Sequence, residues 1–167
     1  MENEKRRISP DLSVTERYMI DYVGLKDSFD LGVRKIKILN KDVHVYYLNG
    51  LSDTNYIMSL LMSLVFINET EEKIAKASEL IENSLNHQSV EKVETLDEVV
   101  DQVLSGLIAI FIEGEREALI VDTRSYPGRQ PEEPDTEKVV TGSRDGFVEN
   151  IVINTALTRR RIRDERL

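Results

Sequence analysis

Apolar and polar residues along this chain change period several times, and each change predicts an element. From Thr15 to Val23 a short helix is expected, stopped by Gly24. The runs KIKILN (35–40) and DVHVYYLNG (42–50) read as two strands of a hairpin, joined by the turn residues Asn40, Lys41 and Asp42. Val43, Val45 and Tyr47 fall on one face of the second strand, and His44, Tyr46 and Leu48 on the other. Both faces are largely apolar, so this strand is expected inside the sheet with a layer on each side.

Asn49 and Gly50 end the strand, and Ser52 or Asp53 is placed to cap a helix that buries Ile57, Leu60, Leu61, Leu64 and Val65. A second helix over 71–85 repeats the pattern with Ile74, Ala77, Leu80, Ile81 and Leu85. Residues 90–94 predict a short strand. Thr95 and Glu98 then form a capping box for a helix burying Leu96, Val99, Val100 and Val103, with Gly106 at its C-terminal cap. LIAIFI (107–112) and EALIV (117–121) predict a second hairpin around Gly114.

These elements add up to an α/β fold, a mixed β-sheet with helices packed on it, plus a proline-rich loop and a C-terminal amphipathic basic helix. The expected division is a flexible leader with a possible short helix over 1–24, an α/β subdomain over 25–126, a proline-rich acidic loop over 127–142 and a basic helix over 143–167. Three of the four prolines lie in YPGRQPEEPDT (126–136), which excludes helix or central strand there. The last helix, from Ser143, is expected to place Phe147, Ile151, Asn154 and Leu157 or Thr158 on one stripe. No strand follows it, so it is expected to reach out from the body.

Composition narrows the chemistry. The 167 residues hold no cysteine and two histidines, His44 and His87, which excludes thiolate metal sites, disulfides and cysteine nucleophiles. Nucleophile elbows, phosphate loops, dinucleotide fingerprints and zinc helices are absent, so no catalytic, cofactor or metal residue is assigned. His44, between apolar neighbours, is expected to be a packed core histidine, and His87 a surface one. Glu113, Glu115 and Glu117, around a turn, are expected to be solvated. The longest uncharged run, Thr54–Asn68, is shorter than the roughly 20 residues a membrane helix needs. Asn55, Ser59 and Ser63 recur along it every four residues and line one face.

Charge is uneven. The net charge is −9, and residues 159–167 hold five Arg against Asp164 and Glu165, a local +3, so residues 1–158 carry −12. Such a body repels nucleic acid and anionic lipid alike. The cluster Arg159, Arg160, Arg161 and Arg163 leaves three readings open: a phosphate contact on RNA or lipid, a grip on the acidic surface of a neighbouring subunit, or a solvated helix end. Reversing the charge of Arg159 and Arg161 is expected to leave the fold intact.

One resemblance adds to this. The stretch VVTGSRDGFVENIVINTALTRRRIRDERL (139–167) resembles the signature of the GerA family of spore germination proteins, the A-type subunits of germinant receptors. The matching positions are Gly142, Arg144, Gly146, Phe147, Glu149 and Asn150, then Asn154 to Leu157, then Arg159 to Ile162. Upstream, SFDLGVRKIKI and DVHVYYLNGLSDTNYI resemble the stage V sporulation branch of that family. Two positions depart from the pattern: Thr158, where the family often has an aliphatic residue, and Ser143, where proline is common.

The resemblance implies a non-enzymatic N-terminal domain of a longer membrane protein, on the cytoplasmic side of the spore inner membrane. It would act in assembly or signal relay of an ion-releasing germination complex. Its partners would be other copies of itself and other membrane subunits, with no nucleic acid and no cofactor. A candidate interface follows: Arg144, Phe147, Glu149, Asn150, Asn154, Arg159, Arg160, Arg161 and Arg163. The alternative is a sensing domain that binds a small-molecule germinant in a cleft between this subdomain and a second one.

Overall fold

The computed structural model describes residues 6–66, 78, 79, 81, 85, 89–124, 150–162 and 164. Strands β1 (Leu31–Ile38) and β2 (Lys41–Leu48) form the first hairpin, in register from Leu31 opposite Leu48 to Ile38 opposite Lys41. The turn is therefore the pair Leu39–Asn40 rather than Asn40–Asp42. Both residues take positive φ, 49° and 64°, as a two-residue turn matched to strand twist requires.

Strand β4 (Ile108–Ile112) lies beside β2, and its hairpin partner β5 (Ala118–Val121) leaves its outer edge to β3 (Val90–Val93). The order is β1-β2-β4-β5-β3. The α/β architecture is as expected, with one difference in the sheet: all four ladders are antiparallel. A mixed sheet would need β3 inserted as a parallel neighbour of β4, but the short β4–β5 turn takes that edge and sends β3 to the rim.

Alternation along the strands builds two cores. Tyr46, Leu48, Ala109, Phe111 and Ile120 face α1 (Leu12–Asp21) and α3 (Leu96–Leu104), whose Met19, Val99 and Val103 are buried with them. Val43, Val45, Ile110, Leu119 and Val121 face α2 (Thr54–Phe66) through Ile57, Leu60 and Leu64. Ile81 and Leu85 join this second core; most of the helix expected over 71–85 lies outside the described residues. Every residue of β4 is buried, at about 1.5–3 kcal/mol for each large side chain taken from water, so the sheet is covered on both faces. On α2, Leu61 is half-buried and Val65 exposed, a narrower stripe than expected.

The expected leader is packed from residue 6 onward. The Ile8 N–H donates to the Glu94 carbonyl at 2.9 Å, and the Leu96 N–H donates to that of Arg6 at 2.8 Å. Helix α1 starts three residues earlier than its apolar pattern suggested. Asp11 caps it by accepting from the Ser13 N–H at 2.8 Å, and Glu113, on the β4–β5 turn, accepts from the Leu12 N–H at 3.1 Å. At the start of α3 the expected capping box differs in detail: the Thr95 hydroxyl donates to the Glu98 carboxylate at 3.3 Å and makes no bond to the backbone. The final described helix, α4 (Ile151–Arg161), falls within the predicted basic helix.

Candidate functional site

The three segments that carry the family resemblance meet at one place. Asp30 stands where the chain enters β1, and its carboxylate is gripped by a side chain 129 residues away. The Arg159 Nε donates to Asp30 Oδ2 at 2.8 Å and its Nη2 to Oδ1 at 3.1 Å, the two-pronged geometry that a planar guanidinium makes with a carboxylate. The same Nη2 donates to Ser28 Oγ at 2.7 Å, Ser28 Oγ donates to Asp30 Oδ1, and Arg159 Nη1 donates to the Asp164 carbonyl at 3.2 Å. Both charged side chains are 2% exposed. Burial alone would push the Asp30 carboxyl up; the bonds from Arg159 and Ser28, with the guanidinium charge, outweigh it and hold the group below its ordinary value.

Helix α4 is seated as well as latched. Asn150 caps it, its Oδ1 accepting from the N–H groups of Val152 at 3.0 Å and Ile153 at 3.4 Å. One turn further on, Ala156 is buried with the α1–α3 core. The helix rests on Gly50, in the turn after β2, which takes φ +87°. A side-chain carbon there would stand 3.0 Å from Val152 Cγ1 and 3.2 Å from Ala156 Cβ. Only glycine satisfies both the left-handed backbone and the close approach. The neighbouring Ser52 hydroxyl donates to the Gly106 carbonyl at 2.8 Å, which fixes this turn to the α3–β4 connection.

The buried positions of the described helix are Ala156 and Arg159, with the partly exposed Val152 over Gly50; of the expected stripe, Ile151 is exposed and Asn154, Leu157 and Thr158 are half-buried. The helix expected to reach out packs back on its own chain, so the solvated and intermolecular readings are corrected for Arg159. Of the other candidate residues, Arg160 and Arg161 are exposed and Asn154 is half-buried. Arg144, Phe147, Glu149 and Arg163, like the proline-rich loop and His87, lie outside the described residues. Asp30, Ser28 and Gly50 were missed as site residues. The signal available was indirect: each stands in a segment quoted for the resemblance, without any local pattern that marks a partner.

The remaining chemical candidates do structural work. His44 is buried on β2, 3.5 Å from the Tyr46 hydroxyl, as a packed core histidine should be. Its pKa lies below the ordinary value, first through burial and then through the Lys35 charge, against the pull of Glu16, Asp42 and Glu113. Glu113 and Glu115 depart from the solvated reading: Glu113 caps α1, and the Glu115 side chain is 11% exposed, its Oε1 3.6 Å from Lys41 Nζ. Among the described residues no group of three or more His, Asp or Glu is arranged to hold a metal ion, and no helix is long and apolar enough to cross a membrane.

Comparison with known proteins bears on the latched helix. Stage V sporulation protein AF of Bacillus subtilis (strain 168) is 58% identical over 164 residues, 98% of this chain and 33% of that protein. Spore germination protein KA of the same organism is 31% identical over 172 residues, 99% of this chain and 31% of that protein. The chain thus spans about a third of the length of these relatives. The fold is shared with the crystal structure of the N-terminal domain of the A subunit of the Bacillus megaterium spore germinant receptor GerK3. The TM-score is 0.72 at 20% identity, over 98% of this chain and 59% of that one. Residues 21–167, which include the whole latch of Ser28, Asp30 and Arg159, match the Bacillus/Clostridium GerA spore germination protein family, and the chain belongs to that family.

Proposed function

We propose that this domain is a non-enzymatic assembly or relay module of a membrane spore germination complex, on the cytoplasmic side of the spore inner membrane. The observation that carries the reading is the buried Asp30–Arg159 pair. It anchors one end of the family's signature helix in the α/β body while Arg160 and Arg161, on the next residues, stay exposed. One helix thus joins the folded core to a basic surface, and a partner that binds the surface acts on an element the core holds rigidly. A buried ion pair is a poor way to gain stability, because desolvation offsets much of its attraction, so its use here suits specifying where the helix sits.

The test is Arg160→Glu with Arg161→Glu in the full-length protein. The variant still folds cooperatively in the isolated domain, as a melting curve checks, and recovery of the germination complex from spore membranes falls. Normal recovery refutes the reading. The sensing alternative predicts instead that small germinants raise the melting midpoint of a longer chain carrying a second subdomain, since a ligand that binds only the native state stabilises it.

A further inference from the structure

The face of the sheet under α1 carries a group of charges that the latch does not use. Lys35 on β1 and His44 on β2 stand opposite each other in the first hairpin, so their side chains share that face. Glu16 of α1 reaches the same place, both of its carboxylate oxygens 2.7 Å from Lys35 Nζ. A cavity of about 600 Å³ has all three residues in its wall. They differ in how much water they keep: the Lys35 side chain is 52% exposed and that of Glu16 28%, whereas His44 is buried. An ammonium group so exposed gives up a carboxylate to water at small cost. A buried imidazolium has no such replacement and needs a counter-charge in contact with it. The Tyr46 hydroxyl, 3.5 Å from Nδ1, is neutral and too distant to serve.

Burial and the Lys35 charge oppose a proton on His44, while Glu16, Asp42 and Glu113 favour one, so charges on α1, on both strands of the hairpin and on the β4–β5 turn all bear on the ring. Of the four carboxylates in the cavity wall, three are committed elsewhere. Asp11 accepts from the Ser13 N–H at 2.8 Å and Glu113 from the Leu12 N–H at 3.1 Å, and either would strand a backbone donor on leaving. Asp42, 57% exposed, faces Lys37 at 3.5 Å. Glu16 is held through its side chain by an exposed lysine, and it is the carboxylate that can move. We propose that Glu16 is the moving part of a proton-operated switch: with His44 neutral its carboxylate ties α1 to Lys35 on β1, and with His44 protonated it turns through the cavity to the imidazolium on β2 and leaves Lys35 to water. The motion is a side-chain rotation, since Leu12 and Met19 keep α1 in the core. One proton thereby changes the strand to which α1 is tied and frees a lysine on β1, the outer strand of the sheet.

Nuclear magnetic resonance on the 167-residue chain tests this, with the His44 ring signals reporting protonation as the pH is lowered. The expected result is that proton–proton contacts between the Glu16 side chain and Lys35 give way, over the pH range in which His44 titrates, to contacts with the His44 ring. In His44→Gln the Lys35 contacts persist through that range. In Glu16→Gln the His44 titration moves to lower pH, because the imidazolium has lost its counter-charge, and in Lys35→Met it moves to higher pH. Melting curves verify that the variants fold, and His44→Asn replaces His44→Gln if the latter does not. A Glu16 side chain that stays on Lys35 while His44 titrates, or that moves equally in His44→Gln, overturns the proposal. So does a His44 titration untouched by Glu16→Gln, or a ring that stays neutral until the chain unfolds in acid.

Discussion

Two ion pairs in this molecule have nearly the same length and very different surroundings. Lys35 Nζ lies 2.7 Å from Glu16 Oε1 with the side chains 52% and 28% exposed, while Arg159 Nε lies 2.8 Å from Asp30 Oδ2 with both at 2%. The first joins α1 to β1, which are already held by Leu12 and Met19 in the core, and water competes for both of its charges. The second joins segments that nothing nearby in sequence connects, and its burial leaves a lost partner's place closed to solvent. Distance alone does not rank the two. What ranks them is how much water each charge gave up, and how many other donors met it.

The largest expected effect breaks the buried pair. Asp30→Ala leaves the Arg159 guanidinium desolvated and unpaired, and chemical denaturation should show a loss of about 3–5 kcal/mol. The double change Asp30→Leu with Arg159→Met removes both charges and should recover most of that loss; if it is no better than the single change, packing rather than charge holds α4. The Arg159→Glu change expected from sequence to leave the fold intact would instead set two carboxylates together in the interior. Gly50→Val attacks the same helix from below and should lose about 1–3 kcal/mol through strain at positive φ and contact with Val152. Hydrogen exchange should then show α4 opening before the sheet.

Acid distinguishes the two regions. His44, beside the exposed pair, has a folded pKa below its unfolded value of about 6.5, so the unfolded chain binds the extra proton. Stability from this group is complete above about pH 6.5 and declines as pH falls below it, and His44→Gln should flatten that part of the curve. Asp30 is also depressed, so its contribution is present above about pH 3.9 and is lost only in stronger acid. The smallest effect is Lys35→Ala, about 0.2–1 kcal/mol by thermal melting. It should shrink in 1 M salt, where the Asp30→Ala loss persists.

Strands and most helices were legible because alternation and 3.6-residue periodicity are local. Val43, Val45 and the apolar run of β4 announced a covered sheet, and both faces are filled. The antiparallel sheet was not legible, since β3 reaches its place through partners on other strands. The start of α1 was hidden for the same reason: one of its caps is a glutamate 101 residues away. The latch was misread because Arg159 stands in a run of arginines, where a solvated end is the ordinary outcome, and its acid is 129 residues distant. Helical spacing from Ala156 selects Arg159 from its neighbours only once the face that touches the body is known.

Asp30 serves two masters. Its side chain holds Arg159, while its own carbonyl accepts the Asn49 N–H at 2.7 Å, at the exit of β2 beside the glycine on which α4 rests. One residue thus ties the C-terminal helix and the bend that precedes α2 to the point where the chain enters the sheet.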